Sequence, residues 1–343
     1  MGYKAGELYI LGEIEPTSGA RTPFVKIGIV KESDDRDTAK RIKEHQTGNP
    51  REITELHVIA TPNVEDVETA LHGIYAPARI GGEWFHCNDA ALMGIIARAE
   101  DTAAAMRDAE ASYITANELK NVPSSGERRK PSSTEADLGR EFTAVRSLVK
   151  KADAAEKSVR RALQAAHDRD SGFRRYVDVQ VRNASRTFDK KRFAEEQPNL
   201  NEQFSIPETK VKGPFKPLET PDVDYTAVTA DLGPLTEEIA TLADAVTGGA
   251  DRVTDLHGLF LALLALRAPF DLRNDIIDAV VRVACAERPG IIGICTWNRL
   301  EVVEPKLDTA ALKAAQPKLY EQYMKTIQSK PAVVPVRHRG YRL

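Results

Sequence analysis

Tyr9, Lys26, Arg41, His45 and Glu68 are the residues of this chain best suited to work on a phosphate. A guanidinium such as Arg41 grips a phosphate through two parallel hydrogen bonds, and an imidazole such as His45 exchanges a proton near neutrality. Arg41 and His45 stand four apart, so on a helix they project from one face. Glu68 and His72 repeat that spacing, and a carboxylate such as Glu68 is the kind of ligand a hard divalent cation takes. Tyr9 lies in "LYI" and Lys26 and Gly28 in "VKIG". If those two runs pair as a hairpin, a phenol and an ammonium share a face. Taken singly, each pair also fits an ordinary solvated surface or a cross-strand contact.

The elements that must position them are legible in outline. Residues 7–14, 24–30 and 53–60 are rich in β-branched and aromatic residues and are expected as strands, the first two joined as a hairpin. "ESDDRD" supplies capping oxygens for a helix from about 35 to 46, and "TGNP" ends it. Asn63 opens a second helix, "VEDVETALHGIYA", which Pro77 stops. After "RIGGEWFHC", with Trp84 and Phe85 expected in the core, a long Ala-rich helix follows. The order is β-β-α-β-α plus a helix, an α/β fold followed by mostly α-helical regions. The expected division is an α/β domain over 1–100, a helical extension 101–120, a linker 121–135, a basic helical arm 136–197, an irregular linker 198–230 and a helical C-terminal domain 231–343. The tail "RHRGYRL" is expected to be loose.

At 343 residues there is room for more than one domain, and 42% hydrophobic content supports a core. The longest apolar run, "LFLALLALRAPF", is short for a membrane span and is interrupted by Arg267 and Pro269, so a core helix is expected, with His257 beside it buried and satisfied. Cys87, Cys285 and Cys295 have no zinc-like spacing, which points to free thiols and a cytoplasmic setting. No phosphate-cradling glycine loop, dinucleotide fingerprint, H-E-x-x-H or G-x-S-x-G elbow is present. The net charge of -3 conceals an asymmetry: Arg140 to Arg192 holds fifteen Lys and Arg against seven Asp and Glu. Such a stretch suits a polyanion or a solvated helix face. Lys150, Lys151, Arg160, Arg161, Arg174, Arg175, Lys190, Lys191 and Arg192 are its candidate nucleic-acid contacts.

Taken in order, "LYI", "KIG", the Arg/His pair, the helical Glu and the runs "RIKEHQTGNP", "ETALHGIYAPARI" and "GEWF" resemble the GIY-YIG nuclease superfamily. The resemblance is to its phage- and mobile-element-associated branch with K-I-G in the second motif, and it spans residues 7 to about 90. It implies a metal-dependent endonuclease hydrolysing phosphodiester bonds in DNA, with RNA left open, and a phage or bacterial-defence setting. Glu68 would hold Mg²⁺ or Mn²⁺, Tyr9 would activate or position water, Arg41 would bind the phosphate and His45 would assist proton transfer. Lys26, in place of the second tyrosine, would polarise the water or lower the phenol pKa of Tyr9. His72, Arg79 and Glu83 would line the site or support it. The first motif departs from the family's Gly-Ile-Tyr with Glu7-Leu8-Tyr9, and the family's late asparagine has only Glu83 and Asn88 near its place. The rest of the chain would target the nuclease, with a homodimer or a protein partner taken through the C-terminal domain. The rival from another class is a non-catalytic DNA-binding or scaffold protein retaining the nuclease fold.

Overall fold

The computed structural model describes residues 4–33, 37–180, 183–219, 232–328 and 331–340, with the side chains of Ser171 and Arg174 left aside. The expected helix start at Asp35 falls outside these; helix α1 is described from Thr38 to Gln46, capped by Asp37, whose carboxylate accepts from Lys40 N–H at 2.8 Å.

The N-terminal sheet is antiparallel with five strands. Strands β1 (Gly6–Ile14), β2 (Arg21–Lys31) and β3 (Glu52–Thr61) are the three expected; β4 (Arg79–Gly81) and β5 (Trp84–His86) were not, being three residues each and too short for an alternation pattern. The order is β3-β1-β2-β5-β4, which puts β1 and β2 at the centre. Helices α2 (Val64–Ile74) and α3 (Asp89–Leu119) cover one face, burying Leu8, Ile10, Val25, Ile27, Val67, Leu71 and Phe85 together. The other face carries Tyr9, Leu11, Val30 and Ile53, with Ile42 of α1 and Trp84 packed on them. That face holds the candidate chemistry.

Behind α2 lies a helical bundle of α4 (Ser133–Arg169), α7 (Leu232–Thr247) and α8 (Val253–Cys285). Among the described helices α8 is the one long and apolar enough to cross a membrane; here it is the hub of the bundle, packed on α2, α3, α4 and α7. Gly73 lets α2 come close: a Cβ there would sit 2.7 Å from Ala268 Cβ. His257 is buried, its Nε2 2.9 Å from Val336 O, and all three cysteines are free thiols.

The basic stretch differs from the continuous arm expected. Its long helix stops at Arg169, and its buried residues (Leu148, Ala152, Val159, Leu163) belong to the bundle core, because α4 has an apolar stripe at helical spacing. Beyond a 3-10 turn come β6 (Val177–Gln180), β7 (Ser185–Phe188) and α5 (Lys190–Glu196). The described part of the expected irregular linker is also ordered, as α6 (Pro198–Gln203), β8 (Ser205–Lys212) and β9 (Lys216–Pro217); residues 220–231 lie outside the described ones.

An internal repeat explains this region. Asp189–Phe204 and Asp308–Tyr323 share D-x7-Q-P-x-L-x-E-Q followed by an aromatic. The second copy is flanked by β12 (Leu300–Leu307) and β13 (Met324–Ile327), after the short pair β10 (Gly290–Ile291) and β11 (Cys295–Thr296), and contains α9 (Thr309–Ala315) and α10 (Pro317–Gln322). The copies interlock: β7 pairs with β13 and β8 with β12. Asp189 N–H donates to Tyr323 O at 2.8 Å and Asp308 N–H to Phe204 O at 2.9 Å, closing the exchange reciprocally. Phe188, Phe193, Leu307, Leu312 and Tyr323 form a joint core that neither copy could bury alone.

Candidate active site

Why Tyr9 and the first helix meet follows from how each is held. Tyr9 faces Gly28 across the β1–β2 ladder, and the ring lies over the glycine: a Cβ at Gly28 would stand 2.5 Å from Tyr9 Oη. Helix α1 has little apolar surface beyond Ile42, so its ends are held by polar contacts. Thr38 Oγ1 donates to Glu7 Oε2 at 2.7 Å, which gives the altered first position of the first motif a structural role. Gln46 closes the other end, accepting from Ile53 N–H at 2.8 Å and donating to Asn49 O and Arg51 O. Asn49 in turn donates to Glu13 Oε1 at 2.8 Å.

So held, α1 aims Arg41 and His45 at Tyr9. The Tyr9 hydroxyl lies 3.3 Å from His45 Nε2. Burial raises the phenol pKa, while a hydrogen bond with the Arg41 guanidinium works against that rise. Arg41 donates to Glu44 at 2.6 Å, and its Nε is buried with no hydrogen-bond partner among the described residues. Burial, then the Lys26 and Arg41 cations, lower the His45 pKa, so the ring is neutral at neutral pH and can accept a proton.

Lys26 departs from the expectation that it would lower the pKa of Tyr9. It is 6% exposed and forms an ion pair with Glu83, a residue 57 positions away that the turn between β4 and β5 brings alongside. The ion pair holds the ammonium beside the carboxylate, and burial keeps the Tyr9 phenol pKa raised. For Glu83, burial works upward but the Lys26 ion pair prevails and holds the carboxyl below its usual range.

Glu68 is half-buried and makes no hydrogen bond or ion pair among the described residues. Burial, then the nearby Glu83, push its carboxyl up to about 7, against the pull of Arg79 and Lys26. Its charge also acts on Tyr9. His72 supports the sheet beneath: its Nε2 lies 2.9 Å from Ile27 O and its ring lies against Phe85, with burial and then Arg79 lowering its pKa to about 4. Arg79 donates from Nε to Gly82 O and lies over Phe85, bracing the turn that carries Glu83. Asn88 caps α3, accepting from Ala91 N–H at 2.8 Å, and so is structural.

A raised carboxyl has a consequence for stability. Glu68 titrates near 4.5 when unfolded and about 7 when folded. Across that window the unfolded chain sheds a proton the folded protein keeps, so stability falls as pH rises and the loss is complete above the folded value. Without divalent cations, Glu68→Gln is therefore expected to melt above wild type at about pH 8 and level with it at about pH 4, as read by thermal melts.

Several of the candidate nucleic-acid contacts already hold an acidic partner. Lys150 pairs with Glu219 at 2.6 Å, Arg160 with Glu156 at 3.8 Å, Lys191 with Glu195 at 3.9 Å and Arg192 with Glu196 at 2.9 Å. Arg175 stacks on Tyr176; Lys151, Arg161 and Lys190 are exposed; the Arg174 side chain lies outside the described residues. Among the described residues no group of three or more His, Cys, Asp or Glu gathers as a metal cluster.

Residues 6–104 match the T5orf172 domain, a phage-associated domain related to nuclease folds. No curated protein and no solved structure matches the chain.

Proposed function

We propose that the chain is a metal-dependent endonuclease of the GIY-YIG type that hydrolyses phosphodiester bonds in DNA. What carries the reading is the gathering of a neutral imidazole, a phenol and a guanidinium on one face of the sheet, with a carboxylate, Glu68, whose charge acts on the phenol. The T5orf172 match over the same residues supports it.

The donor set fits a single hard cation. Mg²⁺ commonly keeps several waters and takes one or two protein carboxylates together with a substrate phosphate, so a three-ligand protein cluster is not required. Glu68 is the residue that would hold it, since a half-buried carboxylate pushed to about 7 gains most from a nearby positive charge. Such a cation, when bound, withdraws charge from the phosphate and the departing oxygen.

The chain's own groups account for the remaining steps. Arg41 donates to a non-bridging phosphate oxygen from its guanidinium and steadies the charge that grows there. Tyr9 holds the attacking water by hydrogen bond, and the proton that water releases passes through the phenol to neutral His45. The water oxygen bonds to phosphorus. The bond to one ester oxygen breaks, and that oxygen keeps the electron pair and takes a proton from solvent.

The test is incubation of supercoiled plasmid and single-stranded DNA with the full chain in Mg²⁺, in Mn²⁺ and in EDTA. Cutting that appears only with a divalent cation is the expected outcome. Salt-sensitive binding without cutting in any cation replaces this reading with that of a DNA-binding scaffold.

A further inference from the structure

Cys285 and Cys295 bring two thiols into contact, Sγ to Sγ at 3.3 Å. Both are fully buried, in a small core with Phe142, Ile291, Ile294 and Trp297. They meet because the chain reverses sharply between them. Cys285 ends α8, and Ala286 leaves the helix with φ at 49°. Among the described residues Ala286 is the one non-glycine residue with positive φ, a conformation that a residue with a Cβ seldom adopts. Gly290, with φ at 136°, then admits the β10–β11 hairpin, since a Cβ there would stand 2.4 Å from Cys295 O. The hairpin pairs Ile291 with Cys295 and so returns Cys295 to the helix end.

Two guanidiniums grip the backbone on either side of Cys285. Arg129 donates to Ala284 O at 2.6 Å, and Arg299 donates to Ala286 O and, at 2.6 Å, to Leu119 O. Arg299 is 1% exposed, and its Nε has no hydrogen-bond partner among the described residues. A hydrogen bond from Cys285 favours the thiolate of Cys295 and holds that thiol below its ordinary pKa against burial; the same bond, with burial, holds Cys285 above its own. A thiolate beside cations is the form that reacts with an oxidant, whereas a buried thiol in apolar surroundings is inert. The segment 286–299 also holds the link between α3 and α4. Ser124 N–H donates to Arg299 O at 2.7 Å, Ser125 N–H to Glu287 O at 2.7 Å, and Ile292 N–H to Arg129 O at 2.9 Å.

We propose that Cys285 and Cys295 are a redox pair, which peroxide converts to a disulfide and a thiol reductant restores, so that oxidation bonds the β10–β11 hairpin to the end of α8. The Cys295 thiolate attacks one peroxide oxygen, the O–O bond breaks, and the departing hydroxide takes a proton to leave as water. Cys285 then attacks the sulfur of the Cys295 sulfenic acid. The S–O bond breaks, and the hydroxide leaves as a second water with the proton of Cys285. Two thiols and one peroxide thus become one disulfide and two waters. A disulfide holds its sulfurs about 2.05 Å apart, so they close by roughly 1.3 Å. Access comes through the hairpin, which pairs at two positions and exposes Ile292 and Gly293 at its turn. Local opening of so short a unit admits a small oxidant. The pair is independent of the nuclease reading.

The full chain is treated with hydrogen peroxide, quenched in acid, and its remaining thiols are blocked with a maleimide in denaturant. Cleavage at Glu287, which lies between the two cysteines, puts them on separate peptides. The expected product is those two peptides joined, two hydrogens lighter than their sum and parted by dithiothreitol, with Cys87 carrying the maleimide. Amide exchange across 286–299 and 121–130 is expected to slow about 10-fold or more in the oxidised chain, because the bond stops the hairpin from lifting off α8. Cys295→Ser is expected to leave no joined peptides, and the wild-type peptide map decides the matter even if that variant does not fold. Cysteines recovered fully as maleimide adducts, or as sulfinic and sulfonic acids, overturn the redox pair, as do links that join Cys87 at random. Joined peptides with unchanged exchange overturn the hold on the hairpin. Neither result depends on whether the chain cuts DNA.

Discussion

Glu68→Gln is expected to lower divalent-dependent cleavage about 10³-fold or more while leaving the fold intact. The substitution keeps the shape of the side chain and removes its charge. In the folded protein that charge has no hydrogen bond or ion pair among the described residues, and burial and Glu83 hold the carboxyl at about 7. A neutral amide there satisfies the protein better than the carboxylate does. What it loses is the capacity to hold a cation against the phosphate, which is worth several kcal/mol of transition-state charge stabilisation; about 4 kcal/mol corresponds to about 10³ in rate. The measurement is single-turnover cutting of a labelled oligonucleotide in Mn²⁺ and Mg²⁺, with a thermal melt of the same sample. Loss of rate with an unchanged or higher melting temperature is the expected pair. A rate within about 10-fold of wild type removes Glu68 from the chemistry, because losing a metal-holding carboxylate at that cost is out of scale with the stabilisation such a cation gives.

Much of the proposed cleavage face is readable in the sequence because its parts are close along the chain. Arg41 and His45 share a helix face through their spacing alone, and two strand runs separated by a loop rich in Pro, Ser and Gly announce the hairpin that carries Tyr9 and Lys26. The partner of Lys26 is not readable. Glu83 stands 57 residues away on a turn between two three-residue strands, and nothing local marks it. Judged from its own neighbourhood, Lys26 has no partner, whereas the structure pairs it with Glu83. The bundle is misjudged for a related reason: the charges of α4 dominate its composition, while its Ala, Val and Leu stripe is only visible at helical period. The tail and the repeat escape differently. "RHRGYRL" is polar and terminal, which describes a loose tail, yet Arg337 is held by Glu156 and Arg339 N–H by Arg79 O, both far away in sequence. The repeat is fully present in the sequence, as two copies of Q-P-x-L-x-E-Q. It is overlooked because the Pro and Asn content of one copy suggests a linker, while the other copy sits in a stretch of helical character. That the two copies exchange strands does not follow from sequence, since each would equally close on itself.

Gly28→Ala is expected to cost cleavage about as much as Tyr9→Phe does, on the order of 10²-fold, although the new methyl carries no chemistry. Gly28 stands opposite Tyr9, whose ring is fully buried, and a Cβ would lie 2.5 Å from the hydroxyl and 2.6 Å from the ring carbon bearing it. Those distances are well inside contact, so either the ring or the strand must move. The ring is the easier to shift, yet it is wedged among Leu11, Val30 and Ile53 under α1, and any rotation carries the hydroxyl away from His45, now 3.3 Å distant. Overpacking of this kind typically costs about 1–3 kcal/mol of stability. The double variant Gly28→Ala/Tyr9→Ala separates the two effects, because removing the ring leaves room for the methyl. Relative to Tyr9→Ala alone, adding the methyl is expected to cost almost no stability and no further activity, a non-additive cycle that places the whole effect of Gly28 in its contact with Tyr9. Additive losses in both melts and rates would instead mean that Gly28 acts on the strand, and that the glycine of K-I-G serves the sheet rather than the tyrosine.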